Sequence, residues 1–323
     1  MTHVSPVPSS DLTAFCQILR SCKSVALLTG AGLSVASGQW LFSIRPSYNV
    51  AYVNIHVYRV ASIQAWKEDP GRVWVRHHEN RDTCLKTSPN VAHKLLATLS
   101  LPTIRNSLLP SLADPTKPPL YITQNIDGLC RRAIDTALNE ATEADEMDQD
   151  AKELVRERHI EMHGSLYHTV CMQCKSKRWT DETLLAPIFA DIKLEALNEE
   201  EKIPIDQLPR CGGVLWKGSN RYGNCGGLVR PGVVWFGEVP EGQGEIIRQI
   251  TKVEVLLVIG TSSLVQPAAS YAGTVKKNGG TVAVLNLESS PVDKEADFVF
   301  LGPCEETIPE LFQKLKELAG SSN

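Results

Sequence analysis

The chain has 323 residues, of which 42% are hydrophobic and 22% charged, with a formal net charge of −4 at pH 7. These values are ordinary for a globular protein in water. The charge gives no electrostatic basis for binding nucleic acid or an anionic membrane, and no apolar run approaches the roughly 18 residues of a membrane span. The N-terminal sequence MTHVSPVPSS lacks the basic and then apolar pattern of a secretory signal, so we expect an intracellular protein.

Short apolar runs separated by helical patterns dominate the chain. A helix over residues 11–22 precedes the first of five runs, which are VALLT (25–29), LYIT (120–123), VEVLLVIG (253–260), TVAVLN (281–286) and FVFL (298–301). Runs unbroken by polar alternation are typical of strands that are covered on both faces. A closing helix is indicated by the helical spacing of four residues, Ile308, Leu311, Leu315 and Leu318. This alternation of strand and helix predicts an α/β fold with a doubly wound, parallel, Rossmann-like sheet.

Two regions do not fit that sheet. Residues 136–158 are acidic and polar, and predict a solvated helical insertion. Residues 165–228 hold clustered cysteines and the charged stretch LEALNEEEK, and predict a small module inserted into the sheet domain.

Four of the nine cysteines are grouped in a pattern that suggests a metal ion. Cys171 and Cys174 lie in CMQC, and Cys211 and Cys225 lie in RCGGVLWKGSNRYGNCGG. Two thiolates two residues apart can bind one tetrahedral ion, and four close its coordination shell. The pattern predicts a structural Zn²⁺ site, for which the alternative is a set of buried free thiols.

The stretch VALLTGAGLSVASG predicts a nucleotide-binding turn. Gly30, Ala31 and Gly32 follow a strand, where backbone N–H groups can approach a diphosphate. The hydride-transfer fingerprint G-x-G-x-x-G is not completed, because position 35 is Val. VIGTSS at 258–263 and LNLE at 285–288 place further small and polar residues after strands, which favours a dinucleotide site over a purely structural turn.

Polar side chains after two other predicted strands suggest acid–base chemistry. YITQNIDGL places Gln124, Asn125 and Asp127 on one loop, and IEMHGSL presents His163. An amide, a carboxylate and an imidazole at strand ends form a plausible site around a polar ligand. A purely structural role for His163 is the alternative.

These segments together resemble the sirtuins, the NAD-dependent protein lysine deacylases. GAGLSVASG, TQNIDGL, HGSL, CMQC, RPGVVWFGE, GTSSLVQPAA and LNLE follow the family's order over most of residues 25–310. The wording of TQNIDGL and RPGVVWFGE is most like class III, the group associated with removal of acidic acyl chains such as succinyl and malonyl. The resemblance implies one catalytic domain over 1–323. Within it, 11–45, 90–164 and 229–323 would bind NAD, 46–89 would form the cofactor loop and helices of a small domain, and 165–228 would bind zinc.

The resemblance also implies roles for individual residues. His163 would be the general base, with Asn125 and Asp127 beside it. NAD would contact sixteen residues: Gly30, Ala31, Gly32, Ser34, Ser37, Phe42, Gln124, Asn125, Asp127, Gly260, Thr261, Ser262, Asn286, Leu287, Glu288 and Cys304. The acyl-lysine substrate would contact Val234, Trp235, Phe236, Gly237 and Glu238, pairing as an added strand. Zinc would be held by Cys171, Cys174, Cys211 and Cys225.

The implied reaction consumes NAD. The acyl oxygen of the substrate attacks the ribose carbon as nicotinamide leaves, and His163 removes a ribose hydroxyl proton so that the acyl group is transferred. Water then releases the lysine, and the products are nicotinamide, free lysine and an O-acyl-ADP-ribose. The implied partners are acyl-lysine protein or peptide substrates, histones among them, and the enzyme itself is expected to be a monomer. Class resemblance implies mitochondria, with cytoplasm and nucleus as alternatives.

The chain departs from the family pattern in two places that bear on function. After Gly38 it reads QWLFS, so Ser43 stands where the family has an arginine, and Arg45 could replace that arginine only along a different backbone path. The class III Tyr-x-x-Arg pattern falls on His77 and Asn80, which leaves Arg81 or Arg76 to hold an acyl carboxylate unless they form a solvated face. These departures keep three alternatives open: a non-catalytic NAD- or zinc-binding interaction protein, a mono-ADP-ribosyltransferase, and a locally altered reading frame.

Overall fold

The computed structural model describes residues 7–39, 60–145, 147–190, 192–196, 202–212 and 225–321. The strands within these ranges are β1 (Val25–Thr29), β2 (Leu120–Thr123), β3 (His159–Glu161), β4 (Gly164–Cys171), β5 (Lys177–Trp179), β6 (Val229–Val233), β7 (Val255–Ile259), β8 (Thr281–Asn286) and β9 (Phe298–Leu301). The α-helices are α1 (Leu12–Ser21), α2 (Ile63–Glu68), α3 (Pro70–Leu85), α4 (Val91–Thr98), α5 (Pro102–Leu108), α6 (Leu129–Asn139), α7 (Gln149–Glu157), α8 (Gln243–Ile250), α9 (Tyr271–Lys277) and α10 (Cys304–Gly320). Short 3₁₀ helices span Ala31–Ser37, Glu143–Asp145, Pro187–Ala190, Leu194–Ala196, Ile205–Gln207, Ala268–Ser270 and Pro291–Glu295. None of the helices in the described ranges is long and apolar enough to cross a membrane.

A six-stranded sheet forms the larger part of the fold. Its strand order is β3-β2-β1-β7-β8-β9, and every neighbouring pair is parallel. Successive side chains of a strand point to opposite faces, and here both faces are buried. Leu27 and Leu257 pack into one core, whereas Leu28 and Leu256 pack into the other. The predicted doubly wound parallel sheet is therefore confirmed.

The five apolar runs and the two terminal helices lie where the sequence predicts them. VALLT, LYIT, TVAVLN and FVFL coincide with β1, β2, β8 and β9, and VEVLLVIG contains β7. The predicted closing helix is α10, whose residues Ile308, Leu311 and Leu315 are buried against the sheet. Burial on both faces explains why these strands lack polar alternation.

A second, smaller unit surrounds a three-stranded antiparallel sheet with the order β5-β4-β6. Its core joins Trp66 of α2 and Trp74 of α3 to Leu166 of β4 and Val229 of β6. The small unit thus includes β6, beyond the predicted boundary at residue 228. The buried positions of β6 alternate with half-buried ones, as expected of a strand in a sheet that is covered on one face only.

The acidic segment 136–158 differs from the predicted solvated insertion. It contains the end of α6 and all of α7, and so forms part of the connection between the parallel strands β2 and β3. Leu138 and Val155 are each 2% exposed and belong to the core of the large sheet. The described acidic residues of this segment are therefore mostly exposed, on the outer side of a crossover that is part of the sheet domain, whereas Asp145 is 5% exposed and accepts from Thr103 N–H at 2.8 Å.

Three buried histidines make the stability of the fold sensitive to acid. Burial lowers the pKa of His77, His93 and His159 from 6.5 to about 3. The unfolded chain takes up these protons near pH 6.5, whereas the folded chain resists them until about pH 3. The free energy of unfolding therefore has its full value above pH 6.5. It decreases as the pH is lowered below 6.5, by at most about 1.4 kcal/mol per pH unit for each histidine.

We expect urea unfolding midpoints to drop steeply between pH 7 and pH 5, before most carboxylates titrate. His159→Leu should reduce that slope, because neither ring nitrogen of His159 has a hydrogen-bond partner among the described residues. Equal slopes in the two proteins would show that His159 is not one of the groups responsible.

Candidate active site

The candidate site lies where the strand order of the large sheet reverses. β1 and β7 are neighbours in the sheet although they lie far apart in the chain. In open α/β sheets, ligands bind in the crevice at the carboxyl ends of such a pair. Gly32 N–H donates to the carbonyl oxygen of Gly260 at 2.7 Å. Ala31 and Ser37 bound the 3₁₀ helix that follows, and the Ser37 hydroxyl is buried without a partner among the described residues. The structure thus joins the two predicted glycine turns at one point.

Gly260 cannot carry a side chain at this junction. Its φ is +60°, and a Cβ there would lie 2.4 Å from the backbone nitrogen of Leu33. We expect Gly260→Ala to lower the free energy of unfolding by about 2–5 kcal/mol, which combines backbone strain with overpacking. Gly279→Ala is the matched control, because Gly279 has φ +83° with nothing within 4 Å. Equal losses in urea unfolding of the two variants would contradict the close approach.

A hydrogen-bonded network of three predicted residues lines the crevice. The Ser34 hydroxyl donates to Asp127 Oδ2 at 2.7 Å, and Asn125 Nδ2 donates to Ser34 Oγ at 3.1 Å and to the carbonyl of Gly30 at 3.0 Å. Leu129 N–H donates to the other carboxylate oxygen of Asp127 at 2.8 Å. The loop after β2 is therefore tied to the glycine turn after β1.

Burial raises the pKa of Asp127 above its ordinary value, although hydrogen bonds from Ser34 and from Leu129 N–H oppose the shift. Asp127 is 3% exposed. A carboxyl group held by two donors in such surroundings has a fixed orientation, which suits it to position a ligand.

His93 belongs to this network, although the sequence reasoning did not single it out. Its Nε2 lies 3.4 Å from Ser34 Oγ, and the residue is completely buried on α4. Because the Ser34 proton is committed to Asp127, we infer that Nε2 of His93 carries a proton and points it at Ser34. A lone histidine 59 positions from Ser34 offers no sequence signal of this contact.

His163 follows β3 and precedes β4, and is half-buried. Its Nδ1 lies 3.0 Å from the carbonyl oxygen of Gln124. A carbonyl only accepts, so Nδ1 carries the proton and Nε2 offers a lone pair. Burial lowers the pKa of His163 below 6.5, which keeps the imidazole neutral at pH 7. Gly164 makes the turn possible with φ +74°, where a Cβ would lie 2.2 Å from Gly232 O.

The residues predicted for the adenosine half divide into a buried base and an exposed rim. Asn286 Nδ2 donates to the carbonyl of Thr261 at 2.8 Å, and Gln124 Nε2 donates to Thr261 Oγ1 at 3.0 Å. Cys304 is buried at the start of α10, where burial raises the pKa of its thiol to about 12. The exposed rim consists of Ser262, Leu287 and Glu288.

The segment predicted to hold substrate, residues 234–238, runs directly after β6. Val234 N–H donates to the carbonyl of His163 at 2.8 Å, so the segment is attached to the backbone of the candidate base. Val234 is half-buried, whereas Phe236 and Gly237 are exposed. The side chains of Trp235 and Glu238 contact other residues of the protein, and their place in a substrate channel stays a prediction.

The residues predicted to grip an acyl carboxylate lie on α3, where Arg81 faces the interior and the Arg76 side chain is 42% exposed beside Glu79. Arg81 is 1% exposed and donates to the carbonyls of Leu166 at 2.7 Å and Glu182 at 3.0 Å, and also to Thr180 O. His77 and Asn80 are buried on the same helix. The structure therefore corrects the prediction for Arg81, because its guanidinium is committed to backbone oxygens. Phe42, Ser43 and Arg45, the remaining residues in question, lie outside the described residues.

The four predicted metal ligands converge. The sulfur atoms of Cys171, Cys174, Cys211 and Cys225 all lie within 4.8 Å of one another. Cys171 and Cys225 are separated by 3.4 Å, and Cys174 and Cys211 by 3.8 Å. A tetrahedron with Zn–S bonds of about 2.3 Å places its sulfur atoms about 3.8 Å apart, so the cluster fits a structural Zn²⁺ ion. Backbone N–H groups of Cys174 and Gly227 point at the sulfurs of Cys171 and Cys225, at 3.5 and 3.4 Å.

The fold and site define a dinucleotide-binding α/β protein with a small cysteine-bound metal unit. The model of the Sir2 family matches residues 30–267. The chain belongs to the Sir2 family, as its resemblance to the sirtuins predicts.

Comparisons with individual proteins agree with this assignment. The chain is 32% identical to a Xenopus tropicalis protein named NAD-dependent protein deacylase sirtuin-5, mitochondrial, over 94% of this chain and 85% of that protein. It is 31% identical to a Daphnia pulex protein named NAD-dependent protein deacylase, over 94% of this chain and 97% of that protein. A crystal structure of a Sir2 homolog–NAD complex superimposes with a TM-score of 0.69 at 25% identity, over 99% of this chain and 100% of that chain.

Proposed function

We propose that the protein is an NAD-dependent protein lysine deacylase. The observation that carries this proposal is the hydrogen bond from His163 Nδ1 to the Gln124 carbonyl, which leaves Nε2 as a neutral base beside the Asn125–Asp127 loop. The names of the Xenopus tropicalis and Daphnia pulex relatives support the same activity.

Each part of the site has a task in this reaction. The glycine turns and the exposed rim after β7 and β8 bind the diphosphate and adenosine of NAD, while Ser34, Asn125 and Asp127 orient the ribose that bears nicotinamide. His163 Nε2 accepts the proton of a ribose hydroxyl, so that its oxygen can attack the activated acyl carbon. A base that is neutral at the working pH suits this step. Nicotinamide has already left when the acyl oxygen attacked the ribose carbon. Water then cleaves the bond between the acyl carbon and the lysine nitrogen, so that free lysine leaves and the acyl group remains on ADP-ribose.

The acyl-lysine peptide binds along residues 234–237. Val234 and Gly237 offer backbone next to His163, and an extended peptide can add to such an edge as a strand. The acyl chain is acetyl or one of the acidic chains malonyl and succinyl. Because Arg81 is committed to carbonyl oxygens, any grip on an acidic chain has to come from another group.

A peptide panel tests the proposal. Purified protein is incubated with NAD and with acetyl-, malonyl- or succinyl-lysine peptides, and nicotinamide and free lysine are quantified. Release of both products with at least one peptide is expected. Nicotinamide release that labels protein without freeing lysine would indicate ADP-ribosyl transfer instead, and NAD binding without any turnover would indicate a non-catalytic protein.

We further infer that the protein acts as a monomer on acylated proteins, histones included, within mitochondria. The Xenopus tropicalis relative carries mitochondrial in its name. Fractionation of cells that express the tagged chain, with light scattering on the purified protein, tests location and oligomeric state; a nuclear or cytoplasmic pool, or a dimer, would correct the inference.

A further inference from the structure

An ion pair beside the substrate segment has no role in the reaction described so far. Arg230 on β6 donates from Nη1 to Glu238 Oε1 at 2.6 Å and from Nη2 to Glu238 Oε2 at 2.9 Å. Both side chains are largely buried, with 14% and 24% of their surface exposed. A bidentate pair of this kind fixes geometry as well as charge.

The same two side chains hold the backbone of the segment between them. Arg230 Nη2 also donates to the carbonyl of Val233 at 2.9 Å, and Glu238 Oε2 accepts from Trp235 N–H at 2.9 Å. Glu238 N–H returns a hydrogen bond to the carbonyl of Trp235 at 2.9 Å. The chain from Val233 to Glu238 is thereby closed into a loop, with Phe236 and Gly237 at its exposed tip.

Trp235 anchors this loop in the small unit. The Arg230 guanidinium lies 3.5 Å from the centre of the indole ring, and the ring of Trp66 packs at 5.3 Å. The indole N–H donates to His77 Nε2 at 3.3 Å. Cation–π contact with a desolvated tryptophan is worth most when the guanidinium cannot move, and Glu238 prevents that movement.

The geometry points to Arg230 and Glu238 as positioning residues for the acyl-peptide substrate, which hold residues 233–237 at a fixed distance from His163. This inference rests on the proposed function. The described side-chain hydrogen bonds of Arg230 and Glu238 go to residues within 230–238, and none goes to the turns after β1, β7 or β8. The pair therefore contacts the segment proposed to bind the peptide and not the turns proposed to bind NAD. Neither side chain touches a reacting atom, so the pair acts through the backbone.

Two substitutions test the pair. Arg230→Lys keeps the charge but loses the bidentate geometry and the flat contact with the indole, and Glu238→Gln keeps an acceptor for Trp235 N–H while losing the charge. Both should raise KM for the acyl peptide by roughly 10- to 100-fold, because that is the effect of losing one charge-assisted hydrogen bond. KM for NAD should stay within about twofold.

The matched control is Lys276→Met, which removes a comparable ion pair with Asp297 (2.6 Å, both side chains 34% exposed) on the far side of the large sheet. It should leave both KM values unchanged. Thermal unfolding of all variants shows whether each remains folded, and the more conservative Arg230→Lys keeps the test valid if Glu238→Gln unfolds.

An unchanged peptide KM in folded Arg230→Lys would overturn the inference, and so would an equal rise in KM for NAD. Binding of a fluorescent acyl-lysine peptide without NAD gives a readout that needs no turnover. Weaker peptide binding in Arg230→Lys, in a protein that never turns over, would refute the proposed function and still support the positioning role.

Discussion

His163→Ala is expected to reduce deacylation by about 10²- to 10⁴-fold, the usual contribution of a general base. The substitution removes the one imidazole whose Nδ1 proton is held by Gln124 and whose Nε2 is left to accept a proton. NAD binding should persist, because the Ser34–Asn125–Asp127 network does not include His163. Single-turnover product formation and NAD titration by calorimetry measure the two quantities separately.

His168→Ala is the matched control, since His168 is also half-buried, lies on β4 and has its pKa lowered mainly by burial. It should retain activity. The pH profile adds a second check: because the pKa of His163 is lowered, the acid limb of kcat/KM should have its midpoint below 6.5 and should vanish in His163→Ala. Equal turnover of His163→Ala and the unaltered protein would rule out the assigned base.

Removal of zinc is expected to unfold the small unit. Cys171 and Cys211 are 0% and 2% exposed, and both belong to the core that joins α2, α3 and β4. Four ligands from two distant parts of the chain then hold that core together. Loss of about 4 kcal/mol would lower Tm by roughly 6 °C in a chain of 323 residues, and Cys211→Ser should show this loss together with a zinc content near zero.

Cys22→Ala is the appropriate control for a lost thiol. Cys22 is buried in the core of the large sheet and donates to the carbonyl of Leu19 at 3.2 Å, far from the metal cluster. The zinc content of Cys22→Ala, measured by mass spectrometry after purification without chelators, should equal that of the unaltered chain. An unaltered chain with full stability and no bound zinc would contradict the metal assignment.

The strands of the large sheet were predictable from sequence because each apolar run by itself indicates a strand that is buried on both faces. VALLT and TVAVLN are apolar on both faces, and turn residues follow each, so both the type and the ends of the strand are marked. β6 was not assigned to the small sheet, because the sequence RPGVV carries two residues that are unusual in strands. Its partner β4 lies far away in the chain, and its pairing with β4, from Gly164–Val233 to Cys171–Val229, makes it a strand.

The site shows the same division. Gly30, Gly32, Asn125, Asp127 and His163 could be proposed from sequence because each follows a predicted strand, and parallel strands end at one edge. The orientation of α3 could not be predicted. Aligning the family pattern along the chain locates His77 and Asn80 without giving the helical face on which they lie. Val73, His77, Arg81 and Cys84 recur at helical spacing and are all buried, but a buried face containing arginine and histidine does not stand out by hydropathy.

His163 occupies a junction in the chain as well as a place in the site. β3 of the large sheet ends at Glu161, and β4 of the small sheet begins at Gly164. The backbone carbonyl of His163 is also tied to Val234, where the chain leaves the small sheet. A rotation of one sheet against the other would therefore move the backbone of His163 and change the direction in which its imidazole points.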